Sequence, residues 1–430
     1  MKWLVLFLVF GVMGCGGAPV QNAREMWSTS SPPPALGPAL PEFKFEAGLP
    51  GYVEYALANQ PGLGSAHARW SAAIHRISRS ERLPDPMLMV GVRAVNPDMG
   101  LGLGTVGVQQ ALPWPTRLSL GADAAAEATL AEKDRYEATS LAVVERVSRA
   151  YWGLWRVRQL RRLHEEHLQI VQSLAEAVRS RLATGAASLA DQQQVDLTVS
   201  RIADDIETMK ASEAAWEAEL RLAIGAPELK DLPTQDDAPL PVPLTENRQS
   251  LAGAAAAHPA LLAYNSLAKS KEIMAQAEAA DGLPDFLVSA EWAVAEDTLM
   301  VGAGISLPLW RGSYADAVDA MEAEALMHKF EGQVALEAAL AAMDSEIATL
   351  NDTARRSAVL NDVLIPQANA AYESVVGGYV TGNGNVTQLL MAQRDLLDLR
   401  IALESVRADY ADSKARLEQI VGREIPFGEK

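Results

Sequence analysis

The sequence lays out one plan twice, and any fold it adopts has to be two versions of the same unit. Thr184-Gly185 returns as Thr381-Gly382, and Gly225 returns as Gly422, both at a separation of 197. Leu83-Pro84-Asp85 returns as Leu283-Pro284-Asp285 at 200, and the tryptophans of Leu112-Pro113-Trp114 and Leu307-Pro308-Leu309-Trp310 are 196 apart. Fixed spacing of this kind is the signature of internal duplication. The apolar stripes repeat with it. Val199, Ile202, Ile206, Met209, Trp216, Leu220 and Ala223 advance in steps of three and four, broken once by Glu213. Displaced by 197 they become Leu396, Leu399, Leu403, Val406, Ser413, Leu417 and Ile420, with Tyr410 in the place of Glu213. Three-four spacing held over several heptads marks the seam of a coiled coil.

Between Trp114 and Thr184 there is no proline after Pro115, and only Gly121 and Gly153 weaken the helical pattern. One long helix is expected there, roughly 100 Å at 1.5 Å per residue. The stretch from Trp310 to Thr381 matches it, with Leu336, Leu340, Met343, Ile347 and Leu350 as its stripe and Pro366 as the place for a kink. Past each Thr-Gly the helical pattern resumes, over about 188–224 and 386–421. Each repeat therefore holds a long helical hairpin, and the glycine at its tip suits a reversal that needs positive φ.

Ahead of each long helix the period changes to two. Leu88, Val90, Val92 and Ala94 alternate with mixed positions, and Phe286, Val288, Ala290, Trp292 and Val294 alternate with Ser289 and Glu291. Turn-like breaks at Asn96-Pro97-Asp98 and Glu296-Asp297 lead to partners containing Val106 and Val108, and Val301, Ala303, Ile305 and Leu307. Each repeat thus offers one β-hairpin, over about 87–112 and 286–307. One apolar and one polar face suits a barrel strand between lipid and water; a small soluble sheet with one buried face fits the same pattern. Four strands cannot enclose a bore, since about eight already fill with side chains. Three copies would supply twelve strands and leave no edge.

Trp3 to Met13 is apolar, follows Lys2, and falls short of the ~20 residues that span a bilayer, so it reads as the h-region of a signal peptide over 1–14. Cys15, the sole cysteine of the 430 residues, follows in Val12-Met13-Gly14-Cys15. This resembles a lipobox, in which the cysteine is acylated, although Met13 stands where small side chains are usual. A lipid would contribute about 0.8 kcal/mol per buried methylene, enough to tether the chain. No second cysteine exists for a disulfide, and no cofactor beyond that lipid is expected. Residues 15–48, with Pro32-Pro33-Pro34, Pro38 and Pro41, read as an extended tether, and folded structure is expected to begin near Leu49. The net charge of −18 argues against nucleic acid as a partner and, in a pore, would favour cations.

The order of lipobox, tether, β-hairpin, Pro-Trp turn, long helix, Thr-Gly tip and return helix, given twice, resembles the TolC-like outer-membrane efflux factor family. The likeness rests on Leu83-Pro84-Asp85-Pro86, Leu112-Pro113-Trp114-Pro115 and Arg181-Leu182-Ala183-Thr184-Gly185 in doubled order, over nearly all the chain from about residue 50. It implies a mainly α fold with a β-barrel part: a homotrimer whose twelve strands cross the outer membrane, continued by a periplasmic α-helical tunnel. A periplasmic adaptor and an inner-membrane transporter would be its partners, the chain itself a passive conduit for small molecules or metal ions.

In that setting the first repeat spans 49–240 and the second 241–430. Thr184, Gly185, Ser188, Leu189, Thr381, Gly382 and Val386 become candidates for adaptor contact at the tips. Asp191, Tyr379 and Gln388 become candidates for the gate, with Asp191 and Tyr379 hydrogen-bonding between neighbouring hairpins. Plain hairpin chemistry, a turn glycine and an N-capping serine, is the alternative for these positions. The chain departs from members that carry an acidic ring and a locking arginine: Gln388 and Met391 occupy the ring positions, and Asn383-Gly384-Asn385 offers no arginine. The resting tip is then expected to be held by packing and uncharged hydrogen bonds.

Other readings carry less. His164-Glu165-Glu166-His167 puts two histidines on one helix face, but it is not the His-Glu-x-x-His of zinc proteases and is read as a solvated face. Gly100, Gly102, Gly104 and Gly107 fall in the expected β-hairpin and serve close turns there rather than a phosphate. Nucleophile, base and orienting group form no recognisable set, so no enzyme is expected. A periplasmic adaptor lipoprotein or a poreless coiled-coil scaffold would share the lipid and the helices; an adaptor would show one hairpin flanked by large β domains.

Overall fold

The structure is a computed structural model describing residues 17–30, 48–96, 100–381 and 384–426. Its described elements run α1 (Ala18–Ser28), α2 (Leu49–Asn59), α3 (Pro61–Ser80), β1 (Met87–Asn96), β2 (Gly100–Leu112), α4 (Pro115–Ala183) and α5 (Leu189–Ile224). The second pass runs α6 (Arg248–Ala256), α7 (Pro259–Asp281), β3 (Phe286–Ala293), β4 (Thr298–Ile305), α8 (Arg311–Val359), α9 (Ile365–Val380) and α10 (Val386–Val421). A helix pair therefore precedes each strand pair, α2–α3 and α6–α7, which the period-two and coiled-coil patterns had not announced. No described helix is long and apolar enough to cross a membrane. Two compact units draw on both repeats: one takes Met1–Pro32, Ala66–Glu137 and Pro259–Ala335, the other Pro33–Ser65, Ala138–His258 and Leu336–Lys430.

The first unit holds a four-stranded antiparallel sheet in the order β1-β2-β3-β4, so the strand pairs of the two repeats are joined through β2 and β3. Register places Leu88 opposite Val108, Val106 opposite Trp292, Leu112 opposite Phe286, Val288 opposite Ala303 and Ala290 opposite Val301. Facing residues share a side of the sheet, so these form one almost wholly apolar face. Much of it is bare: Val301 is 79% exposed and Leu88 70%. The opposite face mixes Thr105, Gln109, Ser289, Glu291 and Thr298 with Met87, Met89 and Met300. At its base, Trp114 N–H donates to Asp285 Oδ1 at 3.0 Å, and the Trp114 ring stacks on Phe286. The second Leu-Pro-Asp thus ties β3 to the start of α4.

The N-terminal segment corrects one expectation. Residues 18–28 form a helix instead of an extended tether, so folded structure is already present ahead of Leu49. Pro19 suits a helix start, where its missing N–H is an orphan in any case. Val20 and Ala23 are fully buried against Ile74, Ile77, Ala122 and Ala126. Gly17 N–H donates to Asp123 at 3.1 Å, and Trp27 lies edge-on to Trp70 at 4.9 Å. The proline run and the rest of the tether, 31–47, lie outside the described residues, as do Cys15 and the tip of the first β-hairpin at 97–99.

In the second unit α4 and α5 pair along the predicted stripe, with Ile202, Ile206, Leu220 and Ala223 buried. Its single interruption has a use: Glu213 accepts from Arg158 at 2.7 Å and forms an ion pair with Arg161 at 3.0 Å, while Glu217 takes another Arg158 nitrogen at 3.0 Å. The indole of Trp216 lies against Gly153 of α4; a Cβ there would fall 2.4 Å from the ring. Tyr52 and Tyr55 of α2 join Val147, Tyr151, Trp155 and Ile224 in one core. Leu251 of α6 joins Met343, Leu350, Tyr410 and Leu417 in another.

The matching long helix is interrupted. Between α8 and α9 the chain widens into a π turn over Leu360–Leu364, where Ile365 N–H reaches back to Leu360 O. Pro366 explains the place. It has no N–H to donate and its ring crowds the carbonyl four residues back, so a wider turn relieves the clash without a sharp break.

Candidate functional site

The two helix reversals lie in the second unit, packed on one another. Val171, Leu174, Val178 and Val195 of the first hairpin share a core with Val386, Leu389 and Leu390 of the second, and Tyr372, Val375 and Tyr379 close its edge. The first reversal follows from its sequence. Gly185 has φ of +75°, Ala186 N–H bonds to Arg181 O at 2.8 Å and Gly185 N–H to Leu182 O at 3.0 Å, which closes the last turn of α4. Ser188 then caps α5, its hydroxyl accepting from Asp191 N at 3.1 Å. At the equivalent position Asn385 caps α10, accepting from Gln388 N at 2.8 Å.

Among the candidate contact residues, Thr184, Gly185, Ser188 and Thr381 are exposed, and Leu189 is 61% exposed. Val386, its repeat-equivalent, is 3% exposed and belongs to the core between the hairpins. Gly382 lies outside the described residues. Val380, which the sequence reading had not assigned, adds apolar surface at 77% exposure, and Met391, at a ring position, is 61% exposed.

The expected tie between Asp191 and Tyr379 does not form within this chain. Asp191 is spent on its own cap: Ser188 Oγ donates to Asp191 Oδ2 at 2.7 Å and Ser188 N–H at 2.9 Å, and these bonds hold its carboxyl below the ordinary aspartate range. Tyr379 meets Arg181 instead. The guanidinium lies over the Tyr379 ring, 4.8 Å from its centroid, and Arg181 Nη1 donates to Tyr379 O at 3.4 Å. The Tyr379 hydroxyl is buried and bonds to nothing described. An uncharged bond from Thr387 Oγ1 to Gln194 Oε1, at 3.0 Å, makes a second tie. The described contacts at this level therefore include one uncharged hydrogen bond and one made by an arginine of the first hairpin, Arg181. Arg181 stood in the quoted motif, but only the packing of the hairpins brings it to a residue 198 positions away. Gln388 is exposed and joins neither tie.

The histidine pair is the other correction. His164 is 9% and His167 7% exposed, so the face is not solvated. Glu165 and Glu166 point outward and pair with Arg161 and Arg162 on their own helix.

Residues 52–226 match the family described as outer membrane efflux protein. The outer membrane efflux protein BepC of Brucella suis biovar 1 (strain 1330) is 25% identical over 285 residues, which cover 64% of this chain and 62% of BepC. The matched stretch thus spans a little under two thirds of that relative's length. Among solved structures, CusC superposes with a TM-score of 0.77 at 15% identity, covering 90% of this chain and 95% of that one. The outer membrane protein VceC of Vibrio cholerae gives 0.74 at 17% identity, covering 88% and 97%. Residues 52–226 are thus similar to the outer membrane efflux protein family, and over nearly its whole length the chain shares the fold of CusC and VceC.

Proposed function

We propose that three copies of this chain close a twelve-stranded barrel in the bacterial outer membrane and wall a water-filled conduit with their helices, through which solutes leave the cell. The observation that carries this reading is the four-stranded sheet: one face is apolar and exposed, the other carries polar groups, and β1 and β4 are each paired on one side only. A sheet like that is costly in water and incomplete in lipid, and both defects vanish when edges from neighbouring copies pair. Two helical hairpins and one small sheet also speak against a periplasmic adaptor. The conduit catalyses nothing. An inner-membrane transporter supplies the energy, and a periplasmic adaptor docks at the tips around Thr184, Gly185, Leu189 and Thr381. Cys15 carries the lipid that holds the N-terminus at the membrane.

The test is direct. Protein extracted from outer-membrane fractions should run as a heat-modifiable trimer and conduct ions in a planar bilayer. A lone, compact molecule released with the soluble periplasm, silent in the bilayer, overturns the reading.

A further inference from the structure

His164 and His167 stand three residues apart on α4, on adjacent turns of one helix face. Both are more than nine-tenths buried, and the Nδ1 atom of each lacks any partner among the described residues. Both line one cavity of about 500 Å³. Its other walls bring Asp205 and Arg201 from α5 and Asp398 and Arg394 from α10. Arg394 lies 3.7 Å from Asp398, while Asp205 has no ion pair with a described arginine or lysine. His167 also lines a second cavity, with Glu166, Glu373 and Arg400.

Buried imidazoles ordinarily hydrogen-bond, because an unpaired polar atom out of water costs free energy. Two such rings one turn apart, lining a cavity that carboxylates also line, are short of something that accepts nitrogen lone pairs and carries positive charge. A proton answers poorly: burial disfavours the charged ring at both positions, and His164 further disfavours it at His167. A divalent ion of the borderline class prefers neutral imidazole with carboxylate.

We propose that His164 and His167 bind one borderline divalent cation, of the zinc, nickel or copper(II) type, in the cavity between α4, α5 and α10. Among the described residues no three ligating side chains already converge. The ion therefore takes two ligands from the histidines and completes its shell with water and with Asp398 or Asp205, brought in by side-chain rotation. Because Asp398 belongs to the second hairpin and the histidines to the first, the ion clamps one to the other. The site stands whether or not the chain conducts.

The experiment uses the full-length protein, purified and stripped with chelator, then titrated with Zn²⁺ and Ni²⁺ by calorimetry. One ion per chain is expected. The double variant H164Q/H167Q should bind ~10- to 100-fold more weakly, and D398N should lose part of that, whereas E165Q/E166Q should bind like the parent. Circular dichroism verifies that each variant folds. Cu²⁺ bound to the unmodified protein provides a readout independent of any substitution, since its electron paramagnetic resonance spectrum should show coupling to two imidazole nitrogens. No uptake by the parent, equal uptake by the double variant, or a copper spectrum with oxygen ligands alone overturns the proposal.

Discussion

At the scale of single residues, the tip shows how a side chain's first obligation limits its second. Asp191 accepts two hydrogen bonds from Ser188, so its charge is already committed to the start of α5. Arg181 is freer. It reaches across from α4 to the ring and carbonyl of Tyr379, a cation–π contact worth about 1–2 kcal/mol where water is partly excluded. If that tie keeps the hairpins together, Arg181→Ala should raise the open fraction of reconstituted trimers ~5- to 30-fold, while Asp191→Ala mainly frays α5. Single-channel recording decides; equal leakage in both variants would remove Arg181 from the gate.

At the scale of elements, what could be read from the sequence was what repeats locally. Helix length followed from missing prolines, the reversals from Thr-Gly, and the strands from alternation around Val90 and Val288. What escaped depends on partners far along the chain. Helix α1 was hidden by the prolines around it, although Val20, Ala23 and Trp27 already had helical spacing; the residues that face covers, Ile74, Ile77, Ala122 and Ala126, lie far along the chain. Periodicity along α4 cannot tell that α5 and α10 close over His164 and His167. Pro366 was legible as a disturbance, but not as a π turn. The sheet invites a sharper check, because its two faces predict opposite tolerances. Val301→Arg, at the middle of β4 on the apolar face, should cost about 2–4 kcal/mol in lipid and deplete trimers from the outer-membrane fraction. Ser289→Arg, on the other face, should leave trimer yield near that of the parent.

At the scale of the whole molecule, charge and duplication matter most. The chain carries a net −18, and Glu291 lies on the face of the sheet opposite Val301 and Trp292. In a closed threefold barrel that face lines the bore, so three copies of Glu291 form an acidic ring that favours cations. Glu291→Lys should lower the cation-to-anion permeability ratio by at least about twofold, read as a shift in reversal potential across a KCl gradient. An unchanged reversal potential would place Glu291 away from the permeation path.

The duplication is also imperfect where it is most exposed. Leu189 is bare at one reversal while Val386, its counterpart 197 residues later, is covered by the neighbouring hairpin. A ring of three such chains would present six loops in two alternating kinds. A protein docking end-on would therefore meet two different footprints, so six identical guests could not all sit alike: they would fall into two classes of affinity, or only three would bind.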